Sequence, residues 1–231
     1  MPIDHLEAAG NYIVAHKPDV IIHLGDHWDM HSLSEYDRGK MAAEGADYQA
    51  DIDAGNKGMD ALMRPLRRAK NYSPRKVFLI GNHEERILRH INANPILRNT
   101  IGYDDFNLKD HGWSVHQFHA PVPIDGVTYA HYFYNPNTGK AYSGHADNML
   151  TKIGYTFTMG HQQGKKIAER SLGNGKTQRA LVVGSFYQHD EEYRGPQANR
   201  HWRGCVMKHE VKDGDYCLLE LSLNYLLREW L

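Results

Sequence analysis

Val20-Ile21-Ile22-His23-Leu24-Gly25-Asp26-His27-Trp28-Asp29 is a short β-branched run that stops at a glycine and an acid. Val77-Phe78-Leu79-Ile80-Gly81-Asn82-His83-Glu84 repeats the pattern, again delivering polar residues just past an apolar strand. Branched and aromatic residues fit a pleated strand, whereas Gly, Asn and Asp punctuate it. Helical spacing surrounds both runs. From Asp4 to His16 the apolar residues Leu6, Ala9, Tyr12 and Ile13 recur at helical intervals until Lys17-Pro18 ends them. From about Met41 to Lys70, Ile52, Met59, Leu62, Met63 and Leu66 mark a second helix with Gly55 and Gly58 as weak points. Its acids lie early and its bases late, as the helix dipole prefers. A third helix follows Glu84 and runs to about Ile91. Strand, helix, strand, helix with polar residues at the strand ends predicts a parallel α/β layer whose site lies at the carboxyl edge.

The second half changes character. Trp113 to Phe118, Val127 to Tyr134, Tyr155 to Met159, Arg179 to Val183, Cys205 to His209 and Tyr216 to Leu221 read as short strands between Gly, Asn and Asp turns, with a helix near Asp147 to Lys152. They predict a second sheet packed on the first. At 231 residues, with no internal repeat or low-complexity linker, a single domain over 1–231 is expected. Asp213-Gly214 reads as a tight turn pairing Lys212 with Asp215; counting outward sets Cys217 opposite Glu210 and Cys205 opposite Ser222, on opposite faces of the ribbon. The two cysteines are therefore expected to be free thiols.

Bulk charge excludes little but is informative. Lys plus Arg total 27 against 28 Asp plus Glu, so the formal charge of -1 makes no global case for nucleic acid or an anionic membrane. The basic cluster at Arg64, Arg67, Arg68 and Lys70 matches the helix dipole and is read as such in preference to a nucleic-acid patch. No apolar run approaches a membrane span and Met1 to Gly10 lacks a signal-peptide pattern, so the expected location is the cytoplasm, with no membrane partner. The sixteen histidines stand out, several of them beside Gly, Asp or Asn.

Four sites fall at strand ends: Gly25-Asp26-His27-Trp28-Asp29, Gly81-Asn82-His83-Glu84, Ala130-His131 and Gly160-His161-Gln162-Gln163. Singly each is weak, since Gly-Asp is often a plain turn and a strand histidine is often packed. In this order, from about Asp19 to Gly184, they resemble the calcineurin-like metallophosphoesterases, whose motifs read GDxxD, GNHE, a lone His and GHxH. The resemblance implies an α/β fold, a two-sheet sandwich flanked by helices, and metal-dependent hydrolysis of phosphate esters. It also implies divalent transition metals, two in an intact member, with Asp26, Asn82, His131 and His161 as metal ligands and His83 facing the phosphate as the catalytic residue. Mixed N/O ligands suit Mn, Zn or Fe. Glu84 and Asp29 are read as orienting or structural groups instead of ligands.

Two departures stand out. The family opens with Asp-x-His at the end of a first central strand, and that strand is missing here. Asp4-His5 cannot replace it, because adjacent residues diverge on a strand or a helix. The expectation is an N-terminally truncated chain in which Met1 is an internal methionine. Gln163 stands where the last histidine would bind the first metal; with the first motif also missing, a complete chain of this sequence is expected to hold at most one metal tightly and to hydrolyse poorly. The rival reading is a catalytically impaired one-metal or metal-free scaffold of the same fold, acting as a binding module.

His23 reads as packed, while His27 and His31 flank the first motif. His119 and several other histidines have no motif support, and Gly184-Ser185-Phe186 with Arg194 and Arg203 would reach phosphate unless salt links occupy the arginines. Met30-His31 and Ile80 replace the arginines of the Ser/Thr protein phosphatases, which favours a general phosphoesterase or phosphodiesterase. A nucleic-acid substrate has only the Arg64 to Lys76 stretch in its favour.

Overall fold

A computed structural model describes residues 2–36, 38–41, 44–190 and 199–231. The chain is mixed α/β and divides into two compact units, one of Leu6–Phe118 and one of the first five residues with His119–Leu231.

The N-terminal unit holds α1 (Asp4–His16, all but its first two residues), β1 (Val20–His23), α2 (Tyr48–Arg68), β2 (Arg75–Leu79), α3 (Arg86–Ala93) and β3 (Ser114–His116). Its sheet is parallel in the order β1-β2-β3, with His23 opposite Phe78 and Leu79 opposite His116. The predicted parallel layer is therefore present, with two corrections. The second helix starts at Tyr48 and not near Met41, because Asp47 is extended (φ -135°, ψ 122°) and its carboxylate accepts the Ala50 N–H at 2.8 Å. The run from Trp113, expected in the second sheet, supplies β3 and pairs with β2. Strand propensity identifies a strand but not its partner.

Trp28 organises this unit's core. It is fully buried, stacks on Phe106 at 4.3 Å and donates its indole N–H to Asn56 Oδ1 at 3.2 Å. A Cβ at Gly55 would lie 2.0 Å from the Trp28 ring, so the α2 glycine read as a weak point is the notch that admits the indole. The glycine costs about 1 kcal/mol of helix propensity, against about 1.5–3 kcal/mol for burying a large apolar side chain.

The C-terminal unit comprises β4 (Val122–Ile124), β5 (Val127–Ala130), β6 (Tyr134–Asn135), β7 (Lys140–Ala141), α4 (Ala146–Ile153), β8 (Phe157–Met159), β9 (Lys166–Ser171), β10 (Thr177–Val182), β11 (Gly204–Lys212), β12 (Asp215–Ser222) and α5 (Leu223–Trp230). A five-stranded sheet runs β4-β5-β8-β10-β9, parallel through β5, β8 and β10 and antiparallel at both edges. Strand alternation sorts its faces. Ala130, Phe157, Met159, Ala168, Ala180 and Val182 form a buried cluster with Met149 and Leu150 of α4. Tyr129 and Thr158 face the opposite way, where Lys208 of the β11–β12 ribbon donates to the Thr158 hydroxyl and to Tyr129 OH. Short or polar elements (β4, β6, β7, β9 and α5) escaped the sequence reading.

The ribbon corrects another expectation. Lys212 does pair with Asp215, but a bulge between His209 and Lys212, with Glu210 at φ 54°, shifts the register so that Cys217 faces His209 and Cys205 faces Leu221. Both cysteines thus share one ribbon face, separated by four residues, about 13 Å at strand rise. Both are free thiols. Among the described residues no helix is long and apolar enough to cross a membrane.

Candidate functional site

Each unit carries a pair of polar turns at the carboxyl ends of neighbouring parallel strands. In the N-terminal unit these are the turns after β1 and β2. Gly25 (φ 87°) and Asp26 (φ 54°) are both left-handed, and a Cβ at Gly25 would lie 2.5 Å from the Leu79 carbonyl oxygen and 2.6 Å from Gly81 N. A Cβ at Gly81 would meet Asp26 Oδ1 at 2.2 Å. Only glycines let the two turns touch backbone to backbone.

The Glu84 carboxylate fastens them together. It is 0% exposed; Oε2 accepts the N–H groups of Asp26 and Gly81, both at 2.9 Å, and Oε1 accepts those of His27 (2.6 Å) and Trp28 (3.1 Å). Glu84 therefore acts as a structural anion, as expected for it, and satisfies four backbone donors that would otherwise be buried. Asp26 Oδ1 in turn accepts the His83 N–H at 3.0 Å, which fixes its rotamer against the β2 turn. Asn82, half-buried, occupies the same turn between Gly81 and His83.

His83 is oriented by Asp29. Its Nδ1 lies 2.6 Å from Asp29 Oδ1, which leaves Nε2 directed toward Asp26 Oδ2 at 3.9 Å. Burial works to lower the His83 pKa, but the Asp29 hydrogen bond and the Asp26 charge outweigh it and the imidazole titrates above its ordinary value. For Asp29 the balance runs the other way: burial would raise its pKa, but the hydrogen bond and charge of His83, with Arg86 beside them, hold it below the usual carboxylate range. Arg86 also donates to the Asp29 carbonyl at 2.7 Å, a role that nothing in the sequence signalled.

In the C-terminal unit, β5 and β8 run parallel with Ala130 opposite Met159, so His131 and the Gly160-His161 turn follow at the same edge. The Gly160 N–H donates to the His131 carbonyl at 3.0 Å. His131 is 4% exposed, whereas His161 is exposed and left-handed at φ 61°. Their rings meet edge to face at 5.2 Å, and each offers a ring nitrogen within 4.8 Å of the other's. Two nitrogens bound at about 2.1 Å to one cation lie at most about 4.2 Å apart, so the pair needs little adjustment to serve a common ion. Gln163 follows in the same loop. Its neighbour Gln162 is committed elsewhere, donating to the Tyr142 carbonyl at 2.8 Å and accepting from Lys166 at 2.6 Å.

Comparison with protein-family models finds no match, and comparison with curated proteins finds none either. The functional reading therefore stands on these residues and their chemistry.

The remaining candidates divide. His27 is drawn away from the turn, with Nε2 2.9 Å from the Gly55 carbonyl oxygen and its ring against Trp28. Its ring thus packs against α2. His23 is packed as expected, stacked on Phe78 at 4.7 Å. Ser185 Oγ is 2.7 Å from His201 Nε2, and Arg203 is tied to Asp190 (2.7 Å) and to the Asn199 carbonyl (3.2 Å), which fits the salt-link alternative for that arginine. Arg194 lies outside the described residues. Sequence reasoning missed the aromatic surroundings of His161: Tyr132 at 4.8 Å, with His119 Nε2 2.8 Å from the Tyr132 hydroxyl. Its one available signal was the density of Tyr and His from His131 to Tyr134.

Proposed function

We propose that this chain hydrolyses phosphate esters with the help of a divalent transition metal, for which the resemblance names as ligands Asp26 and Asn82 in the N-terminal unit and His131 and His161 in the C-terminal unit. The observation that carries the reading is the arrangement within the N-terminal unit, where a carboxylate, an amide and an oriented histidine are fixed at adjoining strand ends by the buried Glu84. The motif order, which resembles the calcineurin-like metallophosphoesterases, supports it, as does the His131–His161 pair. One carboxylate, one amide oxygen and two imidazoles form a mixed N/O donor set that suits Mn, Zn or Fe. Such a cation supplies charge neutralisation of the phosphate oxygens and makes water a competent nucleophile at neutral pH.

The chain's own residues supply orientation and a proton. Asp29 accepts from Nδ1, so the His83 proton available for transfer sits on Nε2. The Asp29 hydrogen bond and the Asp26 charge, which outweigh burial, favour the protonated imidazole. In hydrolysis a water oxygen loses a proton and forms a bond to phosphorus, the P–O bond to the alcohol breaks, the departing oxygen takes the His83 proton, and the proton released by water restores the one His83 gave up. One water is consumed, and one alcohol and one phosphate product are released.

Metal analysis combined with turnover of a monoester and a diester reporter tests the reading. Expected is metal-dependent hydrolysis of at least one reporter. A protein that binds no metal and turns over neither is instead the silent scaffold.

A further inference from the structure

Asp29, whose contact orients His83, stands on a loop between β1 and α2 with its side chain 66% exposed. Met30 after it is left-handed (φ 50°, ψ 44°), a conformation that costs a non-glycine residue energy and persists only where its surroundings enforce it. Two constraints do so. The Met30 side chain is fully buried, which anchors the loop from below. From the other side comes Arg86, whose Nη1 donates to the Asp29 carbonyl at 2.7 Å, reaches the Met30 carbonyl at 3.4 Å and lies 3.7 Å from Asp29 Oδ1.

Arg86 opens α3, and its backbone N–H donates to the His83 carbonyl at 3.1 Å. Contacts therefore close a ring: His83 to Arg86 through the backbone, Arg86 to Asp29 through the guanidinium, and Asp29 back to the His83 imidazole. The ring stands on firm ground. Ile87, next on α3, is fully buried and its N–H donates to the Glu84 carbonyl at 3.2 Å, which joins the helix carrying Arg86 to the turn carrying His83. Such support matters because a solvent-facing ion pair by itself contributes only about 0–1 kcal/mol. At that strength the Asp29–His83 contact alone would be broken for a large share of the time, whereas a carboxylate whose main chain is already fixed has less freedom to lose when it meets the ring.

We propose that Arg86 is a positioning residue for ester hydrolysis: by fixing the Asp29 main chain it holds the Asp29 carboxylate on His83 Nδ1 and so keeps Nε2 aimed at the departing oxygen. This inference rests on the phosphoesterase reading. Within it Arg86 touches no substrate and acts only through Asp29. A misplacement of about 1 Å at a catalytic group costs about 10²-fold in rate, which sets the scale of the effect. Loss of orientation lowers kcat, whereas loss of a direct grip on the phosphate would raise KM.

The test measures kcat and KM for Arg86→Ala, Asp29→Asn and the double variant, with metal content alongside. Expected for Arg86→Ala is a kcat lower by about 10–100-fold at nearly constant KM and unchanged metal content. In the Asp29→Asn background the same change should cost less than about twofold, because the route it acts through is already cut. Arg86→Met, which keeps the apolar stem, carries the same expectations and replaces the alanine variant should that one not fold. Equal losses in both backgrounds, or a loss carried by KM, would overturn the proposal. The His83 Nδ1–H proton resonance, recorded on the full chain with zinc added and identified by its absence from His83→Ala, separates this inference from the reading beneath it. If neither reporter ester is cleaved but the resonance is present and Arg86→Met abolishes it, the phosphoesterase reading fails and the positioning of His83 by Arg86 stands. If the resonance is absent from the unaltered protein, or survives Arg86→Met unchanged, the positioning role fails whatever the turnover.

Discussion

The two pairs of strand-end turns solve one problem with different materials. After β1 and β2 the turns are joined by a single buried anion, Glu84, that collects four backbone N–H groups, and by glycines that allow backbone contact. After β5 and β8 the joint is one backbone hydrogen bond, from Gly160 to His131, with aromatic rings around it. The first pair depends chiefly on Glu84, with Asp26 Oδ1 as a second bridge to the His83 N–H, whereas in the second ring contacts add to the backbone hydrogen bond. Single substitutions should therefore act sharply in the N-terminal unit and gradually in the C-terminal one.

The largest expected effect concerns chemistry. Asp26→Asn or Asn82→Ala should abolish metal-dependent turnover, while His83→Ala should keep its metal and lose about 10²–10⁴-fold in rate. Steady-state kinetics beside metal analysis checks this, and retained turnover in the first two variants would remove the assignment. Next comes stability. Glu84→Ala strips four N–H groups of a charged acceptor and should cost about 3–5 kcal/mol, read by urea unfolding. By the comparison above, His161→Ala should cost less than about 1 kcal/mol in the same assay, since an exposed side chain is replaced.

A smaller effect comes from Lys208, whose amine burial pulls down to about 7, between the rings of Tyr129 and Tyr216. Between about pH 7 and the ordinary lysine pKa near 10.4 the unfolded chain holds a proton that the folded one has released, so folding is favoured as pH rises. Below pH 7 both states are protonated and this contribution is flat. The burial of Cys205 raises its thiol to about 12 and opposes the trend only above about pH 8.5, where an ordinary thiol ionises. Urea unfolding at pH 7.0, 7.7 and 8.4 should thus give rising stability that Lys208→Met flattens. The smallest effect is on thiol reactivity. A native chain should show one fast-reacting thiol, the exposed Cys217, with the half-buried Cys205, whose thiol burial pushes up, reacting more slowly until the chain unfolds.

Much of the scaffold was legible because local physics decides it. Helix α1 and the strands carrying Asp26 and Asn82 follow from apolar spacing and abrupt Gly endings. The start of α2 was misjudged because helical periodicity does not locate a cap, and Asp47 does. The ribbon register failed for a related reason, since a bulge at Glu210 leaves no mark in an alternating pattern. His27 flanks the first motif, and only the fold turns its ring to the Gly55 carbonyl beneath α2.

The sequence by itself determined which polar residues stand at the ends of which strands, since strand identity and termination are properties of short windows. Only the tertiary structure decided what each of them does there: that Glu84 is a clamp, that Asp29 orients His83, and that Asp29 is itself held by Arg86. Those roles depend on distances between residues far apart in the chain, as between Asp26 and Glu84, and no local pattern encodes a distance that folding has yet to create.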